Sequence, residues 1–380
     1  MQSDVSTRRV RAIDTLRGLV MALMLVDHVR EFFFLHRQVA DPMVVGETSP
    51  ELFFTRLASH FCAPVFVFLT GLGAWFHGSR KGATRQGTAA YLAKRGLLLV
   101  ALELSLINFA WTFSFPPAVI YLQVIWAIGL SMLALAALLW LPVWGQLALG
   151  LLIVGGHNLL DSLHFAAGSP AYLPWAILHD RSMIAVGESL RIRTSYPVLP
   201  WIGVILLGHV AGALYRAEVQ PGQRQRYLGL IGAAALAGFF LLRLLNVYGD
   251  HAWTVGGSGL ETVMSFLNVT KYPPSLLFLL LTLGAGMLAL GLLERGRAWD
   301  VLACFGRVPL FFYVLHLYGL HLLYLGFGAV LGRTEGGRYG FAEVWQIWLL
   351  AGAVLVALYL PCRWFAGVKQ RSGTGWASYF

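Results

Sequence analysis

The chain has 380 residues, of which 58% are hydrophobic and only 12% are charged, and its mean hydropathy is +0.68. Because soluble domains carry about 25% charged residues, this composition excludes a soluble globular protein and predicts a polytopic membrane protein. The formal net charge of +10 does not indicate nucleic-acid binding, since the basic residues lie in loops that alternate with long apolar stretches.

The first predicted span carries ionisable side chains in its interior. After an apolar run that ends at Val26, the sequence places Asp27, His28, Arg30 and Glu31 within five positions, and apolar residues then continue to position 35. A charged group at that depth costs about 2.5–3.5 kcal/mol on insertion scales, and it usually faces a bundle interior or a polar cavity. This stretch is therefore the first candidate for a functional site.

Helical spacing aligns part of this stretch with a residue near the start of the span. At 100° per residue, Met24, His28 and Glu31 lie within about 40° of Arg17, and His28 lies about 16 Å deeper than Arg17. A simpler alternative is that the carboxylates and Arg30 form a buried ion cluster that only fixes helix packing, with His28 as a bystander.

Apolar windows of about 20 residues can span a bilayer, and they recur along the whole chain. We predict an all-α, polytopic membrane helix bundle with about ten transmembrane helices, at residues 16–36, 52–77, 93–113, 117–140, 145–160, 198–215, 227–247, 274–293, 301–325 and 343–362. Most Lys and Arg residues fall on one side of these spans, which predicts that both termini are cytoplasmic. We expect a single domain over residues 1–380, with cytoplasmic tails at 1–13 and 364–380.

Two later spans also carry polar residues on a shared face. Arg56 and His60 are four residues apart in the second span, and Tyr313 and His316 share a face of the ninth. His321 is rotated by about 140° from His316, so these two histidines do not form a same-face metal pair. The sequence also lacks the common zinc, calcium and phosphate-loop motifs and the nucleophile elbow, and we expect no metal.

Histidines together with buried carboxylates and arginines suit two kinds of chemistry. One is acid–base catalysis on a hydroxyl or an amine. The other is proton coupling in a transporter, with Asp27, Glu31 and the histidines as the relay. A non-catalytic membrane scaffold is a third alternative, but it leaves the many buried ionisable groups without a role.

Six motifs, spread in order over nearly the whole chain, resemble the heparan-α-glucosaminide N-acetyltransferase catalytic-domain family, and more narrowly its bacterial branch. The motifs are Arg11-x-x-Asp14-x-Leu16-Arg17-Gly18, Asp27-His28, the block from His60 to Gly71, the block from Tyr196 to Gly203, the block from Lys271 to Ser275, and the block from Phe305 to His316.

The resemblance implies a transmembrane acyltransferase that takes an acetyl group from cytoplasmic acetyl-CoA and delivers it to a sugar amine on the other side of the membrane. The first helix is also similar to that of the transmembrane acyltransferases that O-acetylate polysaccharides, whose functional histidine lies late in the first span and matches His28. In the lysosomal branch, Asn-Tyr stands in place of Asp27-His28, and the catalytic histidine follows the first span, where His36 is the nearest candidate by position. We therefore expect a bacterial glycan, a lipid-linked sugar or another amine or hydroxyl as acceptor, at the outer face of a bacterial inner membrane.

This resemblance and the residue pattern give the following expected roles. His28 acts as general base or carries the acyl group, with Asp27 beside it, and Glu31 holds the imidazole tautomer. Arg30, Arg56 or Arg307 stabilises the developing oxyanion. The remaining tunnel residues are His60, Tyr313 and His316. The residues expected to bind the CoA phosphates at the inner face are Arg11, Arg17, Arg80, Lys81, Lys94 and Arg95. Membrane lipids and the acyl-CoA are the expected partners besides the acceptor.

The predicted orientation is testable with a reporter that is active only outside the cytoplasm. We expect a fusion after Phe380 to be silent and a fusion after residue 260 to be active, because an even number of spans returns the chain to the cytoplasm. Activity at both positions contradicts the predicted topology.

Overall fold

The computed structural model describes residues 11–295, 299–334 and 337–371. The helices in these residues are α1 (Arg11–Phe33), α2 (Pro50–Ser59), α3 (Cys62–Gly78), α4 (Arg85–Leu102), α5 (Asn108–Thr112), α6 (Val124–Leu138), α7 (Val143–Gly156), α8 (Tyr172–Leu178), α9 (Leu199–Ala211), α10 (Pro221–Leu245), α11 (Gly259–Leu267), α12 (Leu276–Arg295), α13 (Asp300–Arg307), α14 (Pro309–Leu331) and α15 (Val344–Arg371). A π-helical segment, Glu103–Ile107, joins α4 to α5. The predicted C-terminal tail begins inside α15, and residues 1–10 and 372–380 lie outside the described residues.

A small sheet departs from the predicted all-α fold. Its strands are β1 (Val119–Leu122), β2 (Met183–Val186) and β3 (Leu190–Thr194), in the order β1-β3-β2, with β1 parallel and β2 antiparallel to β3. Apolar and polar residues alternate along most of β3, which is the period of a strand with two different faces. The fourth predicted span therefore begins at Val124 and not at position 117, because β1 occupies its first part.

Six helical segments in the described part of the chain are long and apolar enough to cross a membrane. They are Pro50–Gly78, Val143–Leu160, Pro221–Leu245, Leu276–Arg295, Pro309–Leu331 and Val344–Arg371, and two shorter apolar segments are Val124–Leu138 and Leu199–Tyr215. These segments indicate an integral membrane protein. The total of ten spans and the orientation of the termini stay predictions.

Two of the predicted spans are each divided into two helices. The second is broken around His60, between α2 and α3, and Pro64 lies in the first turn of α3, where its missing N–H costs little. The ninth is broken at Val308, and Pro309 starts α14. Ser59 and Pro309 both line the central cavity described below, so each break borders that cavity.

Helices α1 and α13 approach each other at two glycines. A Cβ atom on Gly18 would lie 1.8 Å from the carbonyl oxygen of Leu302, and one on Gly306 would lie 1.9 Å from the carbonyl oxygen of Asp14. Small residues let membrane helices pack backbone against backbone, where lipid offers no hydrophobic driving force. Paired glycines also meet at four further crossings, which are Gly71–Gly208, Gly96–Gly129, Gly150–Gly203 and Gly232–Gly284.

Helix α1 lies in the interior of the bundle and is buried along most of its length. It packs against α2, α3, α12, α13, α14 and α15. Because other helices surround it, the ionisable residues of its second half face protein groups and not lipid, which is where such residues are tolerated.

Candidate active site

A cavity of about 230 Å³ runs alongside α1, between α3, α4, α6 and α14. A cavity needs only about 10–15 Å³ to hold one water molecule, so this one is a chamber and not a packing defect. Arg17, Met24 and His28 all line it, as the predicted stripe on α1 requires. Glu31, the fourth residue of that stripe, does not line the cavity.

The imidazole of His28 is held by a second histidine. Its Nδ1 lies 2.6 Å from Nε2 of His316 on α14, and Nδ1 of His316 lies 2.8 Å from the backbone carbonyl oxygen of Phe312. A carbonyl oxygen only accepts, so Nδ1 of His316 carries the proton and donates it. In the neutral pair, Nε2 of His316 then accepts from Nδ1 of His28, which leaves Nε2 of His28 as an unprotonated nitrogen. This network assigns the tautomers.

No described residue forms a hydrogen bond with Nε2 of His28. His28 lines the cavity. An unprotonated imidazole nitrogen beside a polar chamber has the form that a general base needs. His316 and Phe312 thus fix the tautomer of His28, which is the role that was expected of Glu31.

Aromatic side chains enclose the His28 ring. Trp111 of α5 and Tyr313 of α14 meet it edge to face, with ring centroids 5.0 and 5.8 Å away, and Phe32 stacks on Trp111. Tyr313 lines the cavity, and its buried hydroxyl has no acceptor among the described residues. It is therefore available to donate a hydrogen bond to an oxygen placed beside His28.

The carboxylate of Asp27 is the centre of a buried ionic network. Nη1 of Arg56 lies 3.0 and 2.8 Å from its two oxygens, Nε of Arg30 lies 3.0 Å from one, and Nζ of Lys271 lies 3.6 Å from the other. Arg30 also pairs with Glu31. Charged groups of both signs are thus brought together where water is scarce, and one carboxylate is shared by cations from α1, α2 and the segment before α12.

This network changes the expected roles of three residues. Arg30 and Arg56 point at Asp27, so their charges are already compensated and they are poor candidates for an oxyanion site. The Glu31 carboxylate binds Arg30 and lies 3.4 Å from the Gln38 amide, away from the His28 ring. The expectation that Glu31 holds the imidazole is therefore wrong in this geometry, because its side chain leaves α1 on the Arg30 side.

Lys271 is fixed in the network by the loop that follows α1. Its backbone N–H lies 3.2 Å from each oxygen of Asp41. Burial raises the pKa of Asp41 above its ordinary value, although nearby Arg56 and Lys271 act in the opposite direction. The Asp41 carboxylate thus ties the α1–α2 loop to the Lys271–Ser275 motif and closes this side of the site.

The other end of the cavity is cationic. Arg17, Arg95, Arg307 and Lys369 line it, together with Tyr91. Arg17 donates to the carbonyl oxygen of Gly306, Arg95 donates to the Tyr91 hydroxyl at 2.8 Å, and Lys369 donates to the carbonyl oxygen of Arg307. These contacts bring cations from α1, α4, α13 and α15 to one opening, with His28 at the far end.

The expected phosphate-binding residues are divided by this geometry. Arg17 and Arg95 line the cavity, and Arg307 joins them at this end instead of lying beside His28. Arg11 faces Asp300 at 4.0 Å on the surface. The remaining three, Arg80, Lys81 and Lys94, are exposed and do not line the cavity.

Two of the other predicted histidines, unlike His316, lie away from the His28 ring. His36 packs beside Phe34 and against Gly340, and neither of its ring nitrogens has a hydrogen-bond partner among the described residues. His60 is buried against Phe278. Neither lines the cavity, so His28 is the histidine that the structure places there.

Two tyrosines close the cavity at the His28 end. The hydroxyl groups of Tyr196 and Tyr272 are 3.2 Å apart, and Tyr196 lines the cavity. The Arg181 guanidinium lies over the Tyr272 ring, 4.9 Å from its centroid, and lines a second pocket. We call it the outer pocket, because the predicted orientation places its loops outside the cytoplasm. Tyr272 therefore contacts residues of both spaces.

Fold and site together define a membrane protein built around a polar chamber that runs between its helices, with a neutral histidine at one end and cations at the other. Within that class, a family profile described as heparan-alpha-glucosaminide N-acetyltransferase, catalytic, matches residues 9–244. The match covers well over half of the chain, and the chain belongs to this family, as its motifs predicted. Membership implies a membrane acyltransferase. A comparison with curated proteins finds no match.

Sequence reasoning missed several residues of this site. Nothing in the sequence indicated that Trp111 and Lys369 belong to a site, because a single aromatic or basic residue at the end of an apolar span is common. Lys271 and Tyr196 stood in motifs that resembled the family, but their loops were assigned to the outer surface. The matched profile ends before Lys271 and His316. Only the motifs could therefore point to these two residues.

Removing the central carboxylate should destabilise the protein. Asp27→Asn leaves Arg30, Arg56 and Lys271 buried without their shared anion, and breaking a buried ion pair from one side typically costs about 3–5 kcal/mol. Thermal unfolding of the purified protein in detergent measures this loss. Glu31→Gln is the matched control, since its side chain is one-third exposed, and it should cost much less. Equal melting temperatures for the two variants contradict the central position of Asp27.

Proposed function

We propose that this protein transfers an acetyl group from cytoplasmic acetyl-CoA to an amine or hydroxyl acceptor at the opposite side of a bacterial inner membrane. The observation that carries the proposal is the His28–His316–Phe312 chain, which leaves an unprotonated nitrogen facing the cavity. Family membership supports acyl transfer as the reaction class.

His28 removes the proton from the acceptor. Its Nε2 accepts this proton as the acceptor nitrogen or oxygen attacks the carbonyl carbon, and its Nδ1–H stays bonded to His316, which stabilises the imidazolium. The thioester supplies the activated acetyl group. As the new bond forms, the C–S bond breaks, and His28 returns the proton to the departing sulfur, so that the base is regenerated.

Tyr313 stabilises the negative charge on the carbonyl oxygen. Its hydroxyl is a donor beside His28 that has no other acceptor among the described residues. A donor held in place before the reaction is effective because it needs no reorganisation when charge develops. The Trp111 and Tyr313 rings limit the access of water to His28, which protects the thioester from hydrolysis.

The cationic end of the cavity binds the phosphates of CoA. Arg17, Arg95, Arg307 and Lys369 provide charged donors from four helices, and guanidinium groups bind phosphate in a bidentate manner. The distance of about 16 Å along α1 between Arg17 and His28 suits a ligand whose charged part and reactive thioester are joined by a long flexible arm. This end is cytoplasmic in the predicted orientation.

The acceptor reaches His28 from the Tyr196–Tyr272 side. The outer pocket there is lined by hydroxyl, carboxylate, imidazole and guanidinium groups, among them Asp180, Arg181 and Ser275. Such groups hydrogen-bond to sugar hydroxyls, which favours a bacterial glycan or a lipid-linked sugar as the acceptor.

Replacing the base should abolish transfer without loss of the fold. His28→Ala should lower the rate of transfer from labelled acetyl-CoA by about 10²–10⁴, the usual cost of a lost general base, with CoA binding retained. His316→Leu should lower the rate by removing the acceptor for Nδ1–H, and His316→Gln, whose amide oxygen accepts, should recover part of it.

His36→Ala is the control for this assignment and should keep its activity. If His36→Ala is inactive while His28→Ala is active, the reaction takes place in the loop after α1. If purified wild-type protein releases no thiol from acetyl-CoA with any amine or sugar acceptor, and instead moves protons or solutes across liposomes, it is a transporter.

CoA affinity should depend on the cations that line the cavity. Arg307→Ala and Lys369→Ala should each weaken CoA binding about tenfold, and rising salt should weaken binding to the wild type because exposed charges are screened. Isothermal titration with CoA measures both effects. Lys81→Ala is the matched control, since Lys81 is equally basic but exposed outside the cavity. An equal loss in all three variants contradicts CoA binding at this end.

A further inference from the structure

The outer loops bring two histidines and an aspartate together at the end of α7. His157 follows α7, Asp161 lies one turn further, and His179 follows α8. One ligand atom from each lies within 4.8 Å of the others. We propose that His157, Asp161 and His179 bind one zinc ion.

His157 gives the strongest indication of a ligand. The residue is 98% buried, and neither ring nitrogen forms a hydrogen bond of normal geometry to any described residue, although the Pro274 backbone lies close to the ring. Buried polar groups in folded proteins are almost always satisfied. A metal ion satisfies an imidazole nitrogen in such a place, whereas an ordinary ion pair between Asp161 and His179 leaves His157 without a partner.

His179 has the surroundings of a metal ligand on both sides of its ring. Nε2 lies 3.4 Å from Oδ1 of Asp161, close to the edge of a tetrahedron of about 3.3 Å that follows from zinc–ligand bonds of 2.0–2.1 Å. Nδ1 lies 3.7 Å from a carboxylate oxygen of Asp180. A carboxylate near the second nitrogen is a common neighbour of a ligating histidine, although the Asp180 oxygen is here beyond hydrogen-bond distance. Nε2 now lies 3.1 Å from the carbonyl oxygen of His157, and zinc would replace the proton in that contact.

Asp161 is oriented as well. Its Oδ2 accepts a hydrogen bond of 2.8 Å from the Asn158 amide, and Asn158 in turn accepts one from the backbone N–H of Leu276 at the start of α12. The Asp161 side chain is 48% exposed, so the fourth position of a zinc ion here is open to water. Two imidazoles and one carboxylate favour zinc over magnesium or calcium, which prefer oxygen ligands.

The site lies in the outer pocket and not in the acyl-transfer cavity. Asp161 and His179 line the outer pocket, and none of the three ligands lines the cavity of His28. A zinc ion at this position would connect the end of α7, the loop after α8 and the start of α12. It would fix the wall of the pocket without taking part in the reaction. The sequence alone led us to expect no metal, so this proposal departs from that expectation.

Cobalt binding tests the proposal, because tetrahedral Co²⁺ absorbs visible light strongly and replaces zinc. The full chain is purified with a tag that contains no histidine, stripped of metal and titrated with Co²⁺, and the bound ion is then displaced with Zn²⁺. We expect one equivalent with a tetrahedral spectrum. His157→Gln and His179→Gln should each weaken binding at least about tenfold. The matched control is His251→Gln, because His251 lines the same pocket but pairs with Asp250, and it should bind like the wild type.

Asp161→Asn addresses the possibility that a histidine variant fails to fold. The Asp161 side chain is about half exposed, and Asn has nearly the same shape without the negative charge. The variant should therefore elute unchanged in size exclusion, while its metal affinity falls. The proposal is overturned if the wild type binds no stoichiometric Co²⁺ or Zn²⁺, if Asp161→Asn binds as tightly as the wild type, or if His251→Gln loses as much affinity as His157→Gln.

Discussion

The buried ionic network around Asp27 is the constraint on which the site depends. Its cations come from α1, α2 and the segment before α12, so the network joins three parts of the chain that are far apart in sequence. Burying such charges costs several kcal/mol per ion unless geometry and hydrogen bonds compensate, and here four charged groups share one small volume. The network therefore tolerates few other arrangements of these segments, and it sets the rotation of α1 that presents His28 to the cavity.

The charged groups around Asp27 and the uncharged ring of His28 lie next to each other but do not pair. Asp27 and its cations hold the structure, whereas His28, the next residue, makes no ion pair and bonds only to a neutral histidine. Aromatic rings lie between His28 and the surroundings on the side of α5 and α14. A neutral, enclosed imidazole next to a compensated ion cluster is a stable arrangement, because His28 bonds to His316 and the Asp27 carboxylate is shared by three cations.

The breaks between α2 and α3 and between α13 and α14 both border the cavity of His28. The interruption before α14 lets Arg307 turn toward Arg17, and close contact at Gly18 and Gly306 brings α13 near enough for the Arg17 guanidinium to reach a backbone carbonyl. The break between α2 and α3 places Ser59 at the cavity and directs Arg56, one turn earlier, to Asp27. Backbone without regular helix is accepted at membrane depth only where it is enclosed by protein or lines a cavity, and both breaks meet that condition.

The sequence by itself determined the class of protein, the family and the faces of α1 and α14 that border the cavity. The period of 3.6 residues aligned Arg17, Met24 and His28, and it put Tyr313 and His316 on one face; all five line the cavity or contact His28. Only the tertiary structure decided which residues of different helices contact each other. His316, 288 positions from His28, took the place expected for Glu31. Trp111 and Lys369 joined the site from segments that looked ordinary, and Lys271 joined it from a motif that had been assigned to the outer surface. The reason is that helical periodicity is a local property of the chain, whereas contacts between helices depend on how closely their backbones approach, which here follows from glycines and from one buried carboxylate shared among several cations.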